Sequence, residues 1–233
     1  MFFKFTIIVI LLFKNIIYLN RNIFITGGTG YIGSALIPEL LKYKFQVNAL
    51  VRKGSESKLP AGCSAVVGNA LDRITYEDKI NDCDTFIHLI GVHHPGPGKK
   101  DEFKNIDLVS IEQAVKAAVN AGVKHFIYLS VAHPAPVMKE FIKVRMQGEE
   151  LLRQSGMRSS FIRPWYVLGP GHYWPYILLP VYKLFELFPF SKETALRLHP
   201  VKIEQMINCL VYAVQNPAES VAVYETKEII SVG

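Results

Sequence analysis

A glycine-rich sequence close to the start of the chain reads Thr26-Gly27-Gly28-Thr29-Gly30-Tyr31-Ile32-Gly33. It follows an apolar run, Asn22 to Ile25, that is typical of a buried strand, and it leads into an amphipathic segment that is typical of a helix. In this setting Gly27 permits a tight turn, Gly30 lets the backbone approach a pyrophosphate, and Gly33 lets the helix pack close to the strand. The phosphates would then bind the free N–H groups of the first helical turn.

An ordinary glycine-rich turn is the alternative interpretation of this loop. The strand before it and the helix after it favour a dinucleotide-binding loop instead. The candidate cofactor contacts in the loop are therefore Gly27, Gly30, Tyr31, Ile32 and Gly33.

The composition indicates one sizeable folded unit. The chain has 233 residues, of which 50% are hydrophobic and 20% charged, and this favours a single α/β domain with a small appended lobe. The net charge of +6 comes from Lys and Arg residues scattered along the chain. We therefore expect a surface that attracts small anionic ligands and no binding of nucleic acid. The oligomeric state stays open.

The cysteines argue against a disulfide framework and against a metal site. Cys63, Cys83 and Cys209 are far apart and form no C-x-x-C pair, so we expect no bound metal. Three thiols in a chain of this size favour a reducing, cytoplasmic location.

Residues 1–21 form an apolar N-terminal extension. Lys4 and Lys14 interrupt the apolar run from Phe2 to Leu19, and the longest uninterrupted part is shorter than the ~20 residues that span a bilayer. The favoured interpretation is a non-native or loosely packed extension. A membrane anchor is the alternative, in which residues 1–19 contact a membrane.

From residue 22 onward the pattern alternates between strands and helices. The predicted strands are Ile23 to Ile25, Phe45 to Val51, Ala65 to Val67, Thr85 to Ile90, Lys124 to Ser130, Ser159 to Arg163 and Val221 to Tyr224. The predicted helices are Tyr31 to Tyr43, Thr75 to Ile80, Asn105 to Ala121, Met138 to Gln154 and Ile203 to Gln215. Such βα units predict a Rossmann-type, doubly wound parallel sheet with helices on both faces. We expect the dinucleotide-binding domain at residues 22–163 and a small substrate-side lobe at 164–233, closed by the last helix and strand.

The chain resembles the short-chain dehydrogenase/reductase superfamily, in the extended or atypical branch of NAD-dependent epimerase/dehydratase-like and NmrA-like proteins. The resemblance extends from Asn22 to about Asn216. Besides the glycine-rich loop, it rests on Gly68-Asn69-Ala70-Leu71-Asp72, His88-Leu89-Ile90-Gly91, Leu129-Ser130 and Arg163-Pro164-Trp165-Tyr166-Val167-Leu168-Gly169-Pro170. It implies an NAD(P)-binding protein with oxidoreductase or epimerase chemistry.

The resemblance also assigns roles to residues beyond the loop. It implies that Asp72 faces the adenine ring, that Gly91 lines the cofactor, and that the segment from Pro164 to Val167 passes the nicotinamide. Asp72 has an equally good interpretation as the N-cap of the segment that follows it.

The end of the second strand favours NADP over NAD. An NAD enzyme of this architecture places a carboxylate there for the ribose 2′-hydroxyl, whereas a 2′-phosphate needs Arg or Lys. Here the strand ends with Arg52 and Lys53, and no carboxylate follows until Glu56. Arg52 is therefore the candidate 2′-phosphate ligand. A solvated basic turn is the alternative.

The usual Tyr-Lys pair of the superfamily is missing. In that chemistry a Tyr exchanges a proton with the substrate, and a Lys one helical turn later lowers the pKa of the Tyr and holds the ribose. The corresponding positions here hold Phe141 and Arg145, and none of the 11 tyrosines has a Lys four residues later. Arg145 could contact the ribose but could not move a proton.

Other residues near the predicted sheet edge could supply the proton instead. Ser130 and His133 follow the fifth strand, at the edge where ligands bind in this architecture. Tyr166 follows the sixth strand. Each has an ordinary structural alternative, as do the further candidates His93, His94, His172 and Tyr173.

The segment from Trp165 to Phe190 is rich in aromatic and aliphatic residues. It predicts an apolar helix that packs in the core, lines a pocket for an apolar small-molecule substrate, or contacts a membrane or a partner. Two functions stay open for the whole chain. The first is an NADP-dependent oxidoreductase or epimerase-like enzyme whose acid is not the usual Tyr. The second is a non-catalytic NADP(H)-binding redox sensor or accessory subunit.

Overall fold

The computed structural model describes residues 21–92, 96, 98–171 and 189–232, with the backbone alone at 189–191. The candidates His93, His94, His172 and Tyr173 lie outside the described residues, as does most of the predicted apolar helix.

A seven-stranded parallel sheet forms the centre of the molecule, in the strand order β3-β2-β1-β4-β5-β6-β9. A second, two-stranded parallel sheet pairs β7 with β8. The strands are Asn22–Thr26 (β1), Gln46–Val51 (β2), Cys63–Val67 (β3), Thr85–His88 (β4), His125–Leu129 (β5), Arg158–Ile162 (β6), Val167–Leu168 (β7), Val201–Lys202 (β8) and Val221–Tyr224 (β9). This order confirms the predicted Rossmann-type fold.

Helices cover both faces of the sheet. They are Tyr31–Lys42 (α1), Val109–Asn120 (α2), Lys139–Gln154 (α3), Pro189–Arg197 (α4), Ile203–Gln215 (α5) and Thr226–Val232 (α6). On one face α1 and α5 pack together over the aliphatic side of the strands. On the other face α2 packs over the aromatic side.

The alternation of side chains along the strands explains the two layers. In β1, Ile23 and Ile25 belong to the aliphatic cluster, whereas Phe24 belongs to the aromatic one, because successive side chains point to opposite faces. The Phe24 ring lies 5.2 Å from Phe86 of β4, which stacks on Phe126 of β5 at 4.9 Å. The aromatic row thus joins the three central strands.

The predicted helix from Thr75 to Ile80 is wrong. Two short 3-10 turns, Arg73–Thr75 and Glu77–Lys79, occupy this part of the chain. Tyr76 separates them with a φ of −148°, outside the helical range. Its fully buried ring stacks on Phe24 at 5.9 Å, so packing against the core takes precedence over helix formation.

Most of the other predicted elements differ by one or two residues at their ends, and the helix predicted from Asn105 differs more. The fourth strand ends at His88 rather than Ile90, after which Leu89 donates its N–H to Thr26 O and the chain turns away. The predicted helix from Asn105 to Ala121 is regular only in α2. A helical turn, Lys100–Glu102, and a π-helical segment, Phe103–Leu108, precede α2.

The last predicted helix and strand have the bounds of α5 and β9. β9 pairs with β6 in the main sheet instead of closing a separate lobe. Residues beyond 163 therefore complete the sheet as well as form β7 and β8. Within the described ranges, the structure has no helix long and apolar enough to cross a membrane.

Candidate active site

The glycine-rich loop joins β1 to α1 at the carboxyl edge of the sheet. Gly27 has a φ of +80°, and a Cβ there would lie 3.0 Å from the carbonyl carbon of Leu89. A Cβ on Gly33 would lie 2.6 Å from Gly28 Cα. Gly27 and Gly33 are thus required by the close packing of the loop itself, as the sequence predicts.

Gly30 is different, because only one protein atom lies close to the position that a Cβ would take there. Its φ of −80° suits any residue, and a Cβ would approach only Gly27 O, at 3.2 Å. Gly30 is exposed and directly precedes Tyr31 and Ile32, whose N–H groups belong to the first turn of α1. This exposed backbone at the positive end of a helix is suited to a pyrophosphate.

Arg52 follows β2 at the same edge of the sheet. Its side chain is exposed, and within the described ranges its guanidinium has no recorded hydrogen bond or ion pair. The backbone turns back directly after it, with Ser55 N–H donating to Arg52 O at 2.9 Å and Gly54 at a φ of +82°. Since β1 and β2 are parallel neighbours, Arg52 and Gly30 lie at the same edge of the sheet, and we call the surface at this edge the dinucleotide groove.

Asp72 lies after β3 and is exposed. Its carboxylate accepts the N–H of Ile74 at 3.2 Å, which makes it the N-cap of the first 3-10 turn. The capping interpretation is therefore observed. Its contact with an adenine ring stays a prediction.

The loop after β4 depends on Gly91. A Cβ on Gly91 would overlap the guanidinium of Arg145 directly beneath it. The next residue, Val92, donates its N–H to Asp107 Oδ2 at 2.9 Å. Gly91 itself is exposed, so the backbone here separates the groove from a buried charge pair.

Arg145 lies beneath this loop and is only 4% exposed. Nη1 donates to Ile90 O at 3.1 Å and to Leu129 O at 2.9 Å, and Nη2 donates to Asp107 Oδ1 at 2.7 Å. The guanidinium thus spans the carboxyl ends of β4 and β5 and ties both to Asp107. The predicted contact of Arg145 with ribose stays a prediction, and every recorded Nη bond goes to protein.

A neutral histidine continues this buried polar group toward the glycine-rich loop. His88 Nδ1 lies 2.8 Å from Thr26 Oγ1, and Nε2 lies 3.3 Å from Ser110 Oγ. Burial, assisted by the positive charge of Arg145, lowers the pKa of His88 to about 3. The imidazole is therefore neutral at physiological pH and joins β1 and β4 to α2.

Ser130 and His133 both face Glu149 of α3. Ser130 Oγ donates to Glu149 Oε1 at 2.6 Å, and His133 Nε2 lies 3.7 Å from the same oxygen. Arg163 also binds this carboxylate, donating from Nε at 2.8 Å and from Nη2. Burial alone would raise the pKa of Glu149, but its His133, Arg163 and Ser130 neighbours lower it to about 2.

Tyr166 lies between β6 and β7 and is half-buried. Its ring packs edge-on against Trp165 at 5.6 Å, and its carbonyl accepts the N–H of Val201 at 2.8 Å. Burial raises the pKa of the phenol above its ordinary value. Tyr166 thus keeps its proton at neutral pH.

The last two predicted positions, Phe141 and Pro164, make packing and backbone contacts within the protein. Phe141 packs on Phe103 at 5.2 Å and stacks on the Arg145 guanidinium at 5.1 Å. Pro164 is buried, and its carbonyl accepts the N–H of Ala132 at 3.0 Å, which joins the loops after β5 and β6.

Sequence reasoning assigned no role to Asp107 or Glu149. One signal was available, because a charged Arg on the apolar face of a helix requires a buried partner. The sequence offers many carboxylates, however, and only the π-helical segment identifies which one lies under the loop after β4. Glu149 is likewise the buried partner of Arg163, and no local pattern in the sequence identifies this pair.

A profile of the NAD(P)H-binding family matches residues 27–172, which is more than half of the chain. The chain belongs to this family. The match begins at the glycine-rich loop and ends after β7, so it includes Gly30, Arg52, Gly91 and Arg145. NAD(P) binding and the resemblance stated from the motifs are thereby confirmed at the level of the family.

Curated relatives include reductases and an epimerase. The chain is 29% identical over 162 residues to the divinyl chlorophyllide a 8-vinyl-reductase of Cucumis sativus, covering 62% of this chain and 38% of that protein. It is 23% identical over 168 residues to a farnesyl-dihydroquinoline-oxide ketoreductase of Stigmatella aurantiaca, covering 63% and 50%. It is 29% identical over 155 residues to an uncharacterized sugar epimerase of Bacillus subtilis, covering 61% and 71%. The chain thus spans half or less of the first two relatives.

Solved structures of similar fold carry NAD. The Bordetella bronchiseptica enzyme WbmH in complex with NAD+ has a TM-score of 0.66 at 19% identity, with 91% of this chain and 79% of that chain covered. A short-chain dehydrogenase/reductase superfamily protein from Agrobacterium tumefaciens with bound NAD has a TM-score of 0.66 at 17% identity, covering 91% and 81%. At these identities the likeness establishes the fold.

Proposed function

We propose that this chain is an NADP(H)-dependent oxidoreductase or epimerase-like enzyme that works without the usual Tyr-Lys pair. The observation that carries the proposal is that the exposed residues Arg52 and Gly30 follow two neighbouring parallel strands at the same edge of the sheet. The backbone N–H groups of α1 suit the pyrophosphate, and Arg52 offers two parallel N–H donors for a 2′-phosphate. With no carboxylate before Glu56, nothing at this strand end favours a 2′-hydroxyl.

The reaction proposed is reduction of an apolar small molecule. When bound, the reduced nicotinamide supplies a hydride to the substrate. The named activities of the relatives, two of which are a vinyl reductase and a ketoreductase, support this direction. The chain spans only part of these proteins. Their activities are therefore not assigned to it, and both the reaction and the substrate are proposals.

Among the three candidate acids, Tyr166 fits the second half of the reaction best. Ser130 donates its only hydroxyl hydrogen to Glu149, and His133 faces the same carboxylate. Tyr166 is protonated at neutral pH, and its position after β6, at the carboxyl edge of the sheet, supports the assignment, although burial raises its pKa and makes the phenol a weaker acid. It would donate that proton to the substrate atom that receives the electron pair, while the hydride adds to the neighbouring carbon, and solvent would then reprotonate the phenolate.

The assignment can be tested by mixing the purified protein with NADPH and a panel of apolar ketones and enones. The loss of NADPH absorbance measures turnover. We expect turnover with at least one acceptor, a loss of about 10²-fold or more in kcat for Tyr166→Phe, and unchanged NADPH affinity. Tyr212→Phe is the matched control, since Tyr212 on α5 also makes an edge-on ring contact, at 6.3 Å with Tyr224. Turnover that survives Tyr166→Phe would remove Tyr166 from the reaction.

A non-catalytic NADP(H) sensor or accessory subunit is the second candidate. It is favoured by the Phe141 and Arg145 positions, where one side chain has no ionisable proton and the other is buried in an ion pair. In this case NADPH binds with the same dependence on Arg52, and no acceptor oxidises it above the buffer rate.

We retain a cytoplasmic location, with membrane contact through residues 1–19 as its alternative, as part of the proposal.

A further inference from the structure

A second charged cavity lies at the amino edge of the sheet, opposite the dinucleotide groove. It encloses about 290 Å³ between the residues that open β1, β4, β5 and β6. Arg21, Lys124 and Arg158 contribute positive charges to its lining, and Asp84 contributes a negative one. We call this space the amino-edge cavity.

The cations outnumber the carboxylate, whose oxygens already have partners. Asp84 Oδ1 accepts from Lys124 Nζ at 2.8 Å, and Oδ2 accepts from the N–H of Asn22 at 3.0 Å. Arg158 donates from Nε to Lys124 O at 3.1 Å, and within the described ranges its two terminal nitrogens have no recorded bond. A net positive cavity in which Arg158 has available terminal N–H groups is suited to an oxyanion.

His125 forms a buried wall of the same cavity and is 1% exposed. Its Nε2 lies 2.9 Å from Ser160 Oγ, whereas Nδ1 has no hydrogen-bond partner among the described residues. Burial first, and then the charges of Arg158 and Arg21, lower the pKa of this imidazole to about 4. The ring thus experiences the positive field of the cavity and can report a change in it.

We propose that the amino-edge cavity binds a phosphate-type oxyanion through Arg158, Lys124 and Arg21. This site lies at the other end of the strands from Gly30, so it is separate from the dinucleotide groove and does not rest on the proposed function. The phosphate could belong to a soluble ion or ester, or to a lipid headgroup. The second source is relevant because Arg21 lies two residues after the apolar run from Phe2 to Leu19 in the sequence.

Titration of the His125 ring by NMR, with inorganic phosphate against chloride at equal ionic strength, tests the site in the full chain. A bound anion favours the charged imidazole, so phosphate should raise the pKa of His125. Arg158→Gln and Lys124→Gln should each weaken phosphate about tenfold, as expected for loss of one charge-assisted contact. NADPH affinity should not change.

Lys42→Gln is the matched control. Lys42 is 69% exposed and pairs with Glu39 at 2.6 Å, close to the 66% exposure and 2.8 Å pair of Lys124. If phosphate leaves His125 unchanged, or if Lys42→Gln weakens phosphate as much as Lys124→Gln does, the proposal is wrong. Both test positions are exposed, so their variants should fold.

Vesicle sedimentation separates the two sources of phosphate. Binding to phosphatidylglycerol vesicles but not to phosphatidylcholine vesicles, lost in Arg158→Gln and kept in Lys42→Gln, would assign a lipid headgroup. A phosphate effect on His125 together with equal sedimentation of Arg158→Gln and unmodified protein would assign a soluble phosphate. Absence of a phosphate effect on His125 would exclude the site, whichever vesicles the protein binds.

Discussion

At the scale of single residues, the dinucleotide groove depends on the space at its glycines and on the exposed charge of Arg52. Gly27 and Gly33 satisfy the packing of the loop, whereas Gly30 leaves space on the side where a ligand would bind. Arg52 leaves a charged group exposed next to that space. These two positions therefore allow ligand binding to be changed without disturbing the core.

Arg52→Asp should remove most of the preference for NADPH over NADH. The loss of a bidentate contact to the 2′-phosphate costs about 1.5–3 kcal/mol, which is roughly tenfold to a hundredfold in affinity. Fluorescence titration with both cofactors measures the ratio. Lys44→Asp, on the exposed turn before β2, is the control for a simple change of net charge. Equal affinities of the unmodified protein for NADPH and NADH would contradict the assignment.

Gly30→Val should abolish dinucleotide binding and leave the fold intact. The branched side chain would enter the space that a pyrophosphate needs, while the protein itself approaches it only through Gly27 O. Gly33→Ala gives the opposite pattern, because its Cβ lies 2.6 Å from Gly28 Cα and should destabilise the fold by about 1–3 kcal/mol. Calorimetric titration and thermal unfolding of both variants measure the difference. Full cofactor affinity in Gly30→Val would mean that the loop is an ordinary turn.

At the scale of secondary structure elements, Arg145 of α3 joins β4, β5 and the π-helical segment. Its guanidinium binds Ile90 O, Leu129 O and Asp107 together, and a Lys in its place has too few donors in a planar arrangement to do the same. The loop that carries Gly91 rests on this group. The position that is a catalytic Lys in the superfamily resemblance therefore shapes the groove from beneath.

Arg145→Met should lower the free energy of unfolding by about 3–5 kcal/mol, because it leaves Asp107 buried without its partner. Adding Asp107→Leu should recover part of this loss, since no buried charge then remains. Urea unfolding of the two single variants and the double variant gives the coupling. Effects that simply add would show that the two residues act independently.

The element scale also shows how far sequence reasoning reaches. The bounds of α5 are correct because its apolar residues recur at helical spacing and it ends at Gln215. Those of β9 are correct because its short apolar run lies between Ser220 and Glu225. The segment around Tyr76 is wrong, since a single aromatic ring finds its partner, Phe24, about fifty residues earlier in the chain. Contacts of this kind depend on the assembled sheet. The same holds for Asp107, which no local pattern distinguishes from other acidic residues.

At the scale of the whole molecule, the strand order explains why the motifs converge. Parallel strands place the ends of β1, β2, β3, β4 and β6 at one edge, so loops far apart in sequence surround one groove. The sequence predicts this convergence from the alternation of strands and helices. The amino edge collects its own set of residues by the same topology, and there the sequence carries no recognisable motif.

Stability should fall on mild acidification because of two buried histidines. The pKa of His88 is lowered to about 3 and that of His125 to about 4, mainly by burial, whereas an unfolded His titrates near 6.5. Below pH ~6.5 the unfolded chain therefore binds more protons than the folded protein, and the free energy of unfolding falls. By pH 5 each histidine should cost about 2 kcal/mol.

Urea unfolding in phosphate-free buffer at pH 7, 6 and 5 measures this loss. Glu149 contributes in a different range, because its pKa is lowered from 4.5 to about 2 and its stabilisation is lost only as the pH falls below about 4.5. A free energy of unfolding that stays constant down to pH 4.5 would therefore mean that the histidines are not buried in neutral form. A loss that begins near pH 6.5 supports the packing of His88 between β1 and α2 and of His125 at the amino edge.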